Sequence, residues 1–183
     1  MVTSLEDHET RQLVANAPQA RCFATDAFYR KGTPFNKGLA MEEGFDYLGR
    51  SGWICVLDAD IALPSEMPLP ELDKNTLYSP HRRVMKDTQI ALLGGIPCEE
   101  DWWLFPEGWE QKNGEFAGYY QLFHAEAEAL REKPWYGVRW PTAGGCDSEF
   151  WWKFRDRGRL ARLGGFEVLH LGPLGVNWGG VQK

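Results

Sequence analysis

Trp53-Ile54-Cys55-Val56-Leu57 is five apolar residues in a row, and it ends at once in Asp58-Ala59-Asp60. An unbroken run of this length, with β-branched and aromatic members, reads as a strand buried on both faces, and such strands lie in the middle of parallel sheets. Burying an ionised carboxylate without a partner is unfavourable. The strand must therefore deliver Asp58 and Asp60 to a solvated edge or to a cation. Residues i and i+2 of an extended chain point to one side, so the two carboxylates are expected to converge. In open α/β sheets, ligands bind just beyond the carboxyl ends of the strands. Paired carboxylates there suit a hard divalent cation such as Mg²⁺ or Mn²⁺, which commonly carries substrate phosphates. The same triplet also fits a plain turn, because Asp after a strand is a common turn residue.

The chain of 183 residues is long enough for one domain with its own core, and a single domain over residues 1–183 is expected. Hydrophobic content of 43% and aromatic content of 14% are those of a globular protein. A net charge of -6 and a pI near 5.3 argue against a broad basic face for nucleic-acid backbone, leaving nucleic acid only as an acceptor. Cys22, Cys55, Cys98 and Cys146 contain no CxxC pair. They read as reduced thiols rather than disulfides or a zinc site, with Cys22 and Cys55 buried in strands. No apolar run is long enough for a membrane span, and a basic-then-apolar leader is lacking. A cytoplasmic location is expected.

Further elements follow from local pattern. Met1–Ser4 reads as the end of a first strand. Ser4-Leu5-Glu6-Asp7 fits a capping box with Ser4 as N-cap, opening a helix to about Ala15 that turns Leu5, Leu13 and Val14 inward. Arg21–Thr25 is a second strand ending at Asp26, and residues 27–35 an exposed loop. Asn36 caps a helix from Lys37 to about Leu48. Residues 1–60 thus run β-α-β-α-β. Neither GxGxxG nor GxxxxGK[ST] is present, so a nucleotide would be held by other means, such as a cation at the aspartates.

Beyond Asp60, residues 64–75 are a proline-containing loop. Strands are expected at Thr76–Ser79 and Gln89–Leu93, with His81-Arg82-Arg83 between them. Residues 94–114, carrying Trp102, Trp103 and Trp109, form a long loop, a lid or an acceptor platform. The stripe Leu122, Phe123, Ala127, Leu130 predicts a helix from Tyr119 to about Glu132. Trp135–Trp140 reads as a short strand, Asp147–Phe154 as a capped helix stopping at Gly158, and Phe166–Leu171 as a last strand.

In that order, Val2-Thr3-Ser4, Thr25-Asp26, Pro34-Phe35-Asn36-Lys37-Gly38, Asp58-Ala59-Asp60, Gly144-Gly145-Cys146-Asp147-Ser148-Glu149-Phe150 and Val168-Leu169-His170-Leu171-Gly172 together resemble the GT-A fold glycosyltransferases, near their family-2 and galactosyltransferase-like members. The resemblance spans nearly the whole chain. It implies a GT-A-type, Rossmann-like α/β sandwich with a mostly parallel central sheet flanked by helices. It also implies a metal-dependent, inverting glycosyltransferase that uses a nucleotide-sugar, a UDP-sugar by preference, and Mn²⁺ or Mg²⁺.

The resemblance also assigns roles. Thr3, Ser4 and Asp26 resemble contacts to the donor nucleotide, and Asn36-Lys37-Gly38 the segment that closes over it. Asp58 and Asp60 resemble the DxD motif, Asp58 facing ribose or metal and Asp60 the metal, with His170 completing the metal shell. Asp147 resembles the catalytic base. Gly144, Gly145, Glu149 and Trp178 resemble contacts to donor sugar or acceptor, with Glu149 the runner-up base. Cys146 stands where galactosyltransferase-like members usually carry an acidic residue.

The chemistry suits these residue types. Leaving diphosphate is stabilised by a cation, and the attacking hydroxyl needs a carboxylate to take its proton. The acceptor is left open among a glycan, a small molecule and a hydroxymethylated base in viral DNA. Two other functions fit the same residues. A nucleotidyltransferase acting on a sugar phosphate would share the paired aspartates, but Ser4-Leu5-Glu6-Asp7 is acidic where it needs a basic, Gly-rich loop. A non-catalytic sugar-binding module would use the aromatics and leave the aspartates idle.

Overall fold

The computed structural model describes residues 1–86, 93–108 and 116–172. These fall into two compact units. Met1–Ser51 and Glu132–Phe150 make the first; Gly52–Arg131 and residues 151–172 make the second.

In the first unit, β1 (Val2–Ser4) and β2 (Phe23–Thr25) pair in parallel, with Val2 opposite Phe23 and Ser4 opposite Thr25. Helix α1 (His8–Ala15) joins them. Its N-cap is Asp7, which accepts from the Thr10 amide, and not Ser4 as expected. Ser4 is still in β1, and its Oγ accepts instead from the Glu6 amide at 3.3 Å. The inward face is also smaller than expected: Val14 is buried, whereas Leu5 and Leu13 are exposed.

Helix α2 (Lys37–Leu48) starts where the sequence puts it, with the Asn36 side chain accepting from the Leu39 amide at 2.8 Å. Its inner face carries Gly38, Ala40, Glu42, Gly44 and Phe45. Residues 27–35 are not an exposed loop throughout. Ala27 and Phe28 are buried, and Phe28 stacks on Phe35 with centroids 4.9 Å apart. The expected strand at Trp135–Trp140 does not form. The amides of Trp135 and Tyr136 donate instead to the Glu42 carboxylate.

The second unit holds a five-stranded sheet of β3 (Trp53–Leu57), β4 (Ile61–Ala62), β5 (Leu77–Met85), β6 (Tyr120–His124) and β7 (Leu160–Leu171), in the order β3-β6-β5-β7-β4. The pairs β3–β6, β5–β6 and β4–β7 are antiparallel, and only β5–β7 is parallel. This overturns the expectation of a GT-A-type, Rossmann-like sandwich with a mostly parallel central sheet flanked by helices. The fold is α/β, with a small mixed sheet and a separate two-stranded parallel ribbon.

The largest single cause is β6, where a helix was expected. Tyr120, Gln121, Leu122 and Phe123 are all buried, so the segment presents both faces to the core, and aromatic and branched residues suit such a strand. Short apolar runs do not distinguish a buried helix from a buried strand. Conversely β3, read as the central strand, lies at one end of the sheet order, and its Trp53, Cys55 and Leu57 are exposed.

β5 is one continuous strand that absorbs His81-Arg82-Arg83. The expected strand at 89–93 lies, apart from Leu93, outside the described residues. β7 is twice the expected length. Its register against β5 shifts between Pro80 and His81, with Gly165 in the left-handed region at φ 88°. Within the aromatic loop, Glu99–Leu104 forms a 3-10 turn. It buries Trp102 beside Met85, Phe105 and Leu169 and leaves Trp103 exposed. Trp109 and Trp178 lie outside the described residues.

Helix α3 (Cys146–Arg155) begins in the first unit and ends in the second. Acidic Asp147 and Glu149 occupy its first turn and basic Lys153 and Arg155 its last, which suits the helix dipole. All four cysteines are free thiols; Cys22 is half-buried and Cys55 exposed, against the expectation of burial. No helix among the described residues is long and apolar enough to cross a membrane.

Candidate functional site

The residues singled out from sequence are divided between the units. Asp58, Asp60 and His170 belong to the second; Thr3, Ser4, Asp26, Asn36, Lys37, Gly144, Gly145, Asp147 and Glu149 belong to the first.

In the second unit, β3 ends at Leu57 and the chain turns at once. The Asp58 amide donates to Tyr119 O at 3.2 Å, and Asp58 O accepts from the Ile61 amide at 3.3 Å. Ile61 then opens β4 opposite His170 of β7. The Leu171 amide donates to Asp60 O at 2.8 Å, fixing the backbone between the two aspartates and β7. As a result Asp60 Oδ2 lies 3.6 Å from His170 Nε2. The imidazole is buried and the carboxylate half-exposed.

His170 Nδ1 lies 3.0 Å from Gly172 O. A carbonyl oxygen only accepts, so Nδ1 carries the proton. In the neutral ring, Nε2 then turns its lone pair toward Asp60. Two acceptors facing one another repel unless a proton or a cation lies between them. A histidine whose far nitrogen is tied to a carbonyl is the usual arrangement of a metal-ligating ring. Donor atoms bound at about 2.0–2.2 Å to one cation lie roughly 3–4 Å apart, and the observed separation falls in that range.

One carboxylate and one imidazole are two groups that could serve as ligands of a divalent cation. A fuller protein shell is not formed, because no group of three or more His, Cys, Asp or Glu gathers among the described residues. Asp58 does not join the pair. The i, i+2 rule holds only in extended chain, and residues 59–60 form a turn.

In the first unit, the nucleotide-contact candidates are engaged with other groups of the protein. Buried Thr3 donates its hydroxyl to Asp7 at 2.6 Å. Asp26 is bound by Arg30, whose guanidinium holds the carboxyl below the ordinary aspartate range. The same guanidinium reaches Glu43, which accepts from the Thr25 hydroxyl at 2.6 Å. Asn36 caps α2 and donates through Nδ2 to Val138 O at 2.9 Å.

Lys37 Nζ meets Asp147 Oδ2 at 3.3 Å, with the two side chains only 13% and 19% exposed. Charge on Lys37 at the start of α2 is unfavourable to the helix dipole, and Asp147 is a counter-charge beside it. Glu149 is ion-paired with Arg139. Gly145, at φ 97°, lies under Trp140, so close that a Cβ would fall 2.6 Å from the indole. Arg30, Arg139 and Trp140 carry much of this geometry, and sequence reading did not single them out; Glu42 also escapes it, because the amides it accepts, those of Trp135 and Tyr136, are distant in the chain.

Comparison with family models, with curated proteins and with solved structures gives no match for this chain.

Proposed function

We propose that the chain is a metal-dependent, inverting glycosyltransferase that moves a sugar from a nucleotide-sugar, a UDP-sugar first among them, to a hydroxyl acceptor. The observation that carries this reading is the Asp60–His170 pair, a carboxylate facing an oriented imidazole just beyond the end of β3. When bound, Mn²⁺ or Mg²⁺ supplies Lewis-acid stabilisation of the leaving diphosphate. Asp60 and His170 would hold it, with Asp58 two positions before Asp60 in sequence.

Asp147 takes the proton of the acceptor hydroxyl as its oxygen bonds to the anomeric carbon. The bond from that carbon to the diphosphate breaks, and the nucleoside diphosphate leaves with the electron pair. No covalent intermediate is needed when configuration inverts. Glu149, held by Arg139, Gly144 and Gly145 are assigned to donor sugar and acceptor, as is Trp178, which lies outside the described residues. Thr3, Ser4, Asp26 and Asn36 are assigned to the nucleotide. Four free thiols suit a reducing, cytoplasmic setting. The acceptor class, whether glycan, small molecule or hydroxymethylated base, follows from none of these residues.

The test is a panel of nucleotide-sugars with Mn²⁺, read by nucleotide release and by thermal shift. The parent protein should be stabilised by UDP with Mn²⁺ and should release UDP from at least one donor. Asp60→Ala should lose both effects, and Asp147→Asn should lose turnover while still binding UDP with Mn²⁺. Unchanged UDP–Mn²⁺ stabilisation in both Asp60→Ala and His170→Ala would remove the metal assignment. Full turnover in Asp147→Asn would remove the base.

A further inference from the structure

We infer that Lys37 is a positioning residue for Asp147, holding that carboxylate turned for proton transfer, rather than a contact to the donor nucleotide. This rests on the reading of Asp147 as the base. It follows from a three-way junction in the first unit where the start of α2, residues 137–141 and the start of α3 meet.

Three glycines make the junction tight. A Cβ on Gly38 would stand 2.2 Å from Gly137 O and 3.2 Å from the Cys146 Cβ. A Cβ on Gly137 would overlap the Glu149 carboxylate, and one on Gly145 would overlap Trp140. Hydrogen bonds lock the same contact: Asn36 Nδ2 to Val138 O at 2.9 Å, and the Phe35 amide to Pro141 O at 3.0 Å. Tyr136 stacks on Phe150 of α3 with centroids 4.3 Å apart and rings within 10° of parallel. Backbone held this closely leaves Lys37 and Asp147 little freedom, although they are 110 positions apart in sequence.

Within that frame the Lys37 ammonium meets Asp147 Oδ2 at 3.3 Å, and both side chains are largely withdrawn from water. That contact holds the carboxylate by one oxygen. In the transfer step the proton goes from the acceptor hydroxyl to the Asp147 carboxylate, and Lys37 keeps its own protons throughout. Removing the ammonium takes that contact away, and a misplaced reacting group is worth about 10²-fold in rate.

The experiment compares Lys37→Met, Lys37→Arg, Asp147→Asn and the Lys37→Met/Asp147→Asn double variant with the parent. UDP with Mn²⁺ is the binding probe and UDP release from the best donor is the rate, and each variant is first checked for the parent's thermal midpoint. Lys37→Met is expected to lower kcat by about 10²-fold with little change in donor KM or in UDP binding. Lys37→Arg, which keeps a cation, is expected to recover most of the loss. In the double variant, Lys37→Met should add nothing to Asp147→Asn.

A Lys37→Met protein that binds UDP weakly but turns over at the parent's kcat with saturating donor overturns the proposal, because Lys37 is then a donor contact. Parent kcat and KM in Lys37→Met overturn it equally. A parent protein that releases no UDP, or a fully active Asp147→Asn, instead overturns the assignment of Asp147 on which the proposal stands.

Discussion

Asp60 and His170 face one another at 3.6 Å because Ile61, the residue after Asp60, is the register partner of His170 across β4 and β7. A two-residue strand is thus enough to bring together groups more than a hundred positions apart. The ring is anchored from behind by Gly172 O, so its orientation does not depend on Asp60.

Under the proposed metal role, one substitution separates fold from ligation. His170→Phe keeps a buried planar ring and removes both nitrogens. The protein should fold, with Mn²⁺ stabilisation reduced by at least about tenfold in apparent affinity. A Mn²⁺ titration followed by thermal midpoint measures it. Parent-like Mn²⁺ dependence in His170→Phe would exclude the imidazole as a ligand.

Glu42 is expected to be the most sensitive single charge in the first unit. Its Oε1 accepts the amides of Trp135 and Tyr136, each at 2.9 Å, and its Oε2 meets Arg50 Nη2 at 2.9 Å. Arg50 lies over the Trp135 ring at 4.5 Å, and both charged side chains are about nine-tenths buried. Glu42→Ala leaves two amides without their acceptor and takes one of its carboxylate partners from Arg50, which keeps Asp46, and breaking a buried pair this way costs about 3–5 kcal/mol. Glu42→Gln keeps one acceptor oxygen and should cost about 1–2 kcal/mol. Urea unfolding, read as a change in midpoint at constant slope, tests the order; equal losses would place the energy in packing rather than in the carboxylate.

Asp46 gives the molecule an acid limb. Arg50 first, and then Lys133, bind its carboxyl and pull it down to about 2. The folded value lies below the unfolded one, so its stabilisation is present above the unfolded aspartate value, about 3.9. That stabilisation is lost as pH falls toward about 2, through the folded value. The group is more than half exposed, so the effect is small and weakened by salt. Asp46→Asn should flatten the stability profile between about pH 4 and pH 2. An unchanged slope there would assign acid unfolding to other carboxylates.

The start of α2 is readable from sequence because a cap is a local device: Asn36 reaches three residues on, to the Leu39 amide. Sheet topology is not local. The apolar run at β3 specifies a strand but not its place in the order, and Tyr120–His124 satisfies helical spacing on paper while pairing with β3 in space. Convergence of Asp58 and Asp60 assumes extended backbone that stops at Leu57. The Asp60–His170 approach is legible only through a resemblance, and the Lys37–Asp147 contact is not legible at all, since nothing in either segment encodes the other.

The two helix starts of the first unit test that distinction directly. Both Ser4 and Asp7 are cap-type residues, and local pattern alone chose Ser4. Asp7 is the acceptor for the Thr10 amide at 3.0 Å, and it also takes the buried Thr3 hydroxyl, the larger cause of its depressed carboxyl. Asp7→Ala should therefore cost about 1–2 kcal/mol, a cap plus an orphaned hydroxyl. Ser4→Ala, which loses one long contact to the Glu6 amide, should stay within about 0.5 kcal/mol. At α2, Asn36→Asp keeps the cap acceptor but loses the Nδ2 donor to Val138, whereas Asn36→Ala loses both. The loss should rise from Asp to Ala, by about 1 kcal/mol for the cap alone. Chemical denaturation of the four variants decides it. A Ser4→Ala loss equal to that of Asp7→Ala would return the cap to Ser4, and equal losses for Asn36→Asp and Asn36→Ala would put the weight of Asn36 on its bond to residue 138 instead of on the helix.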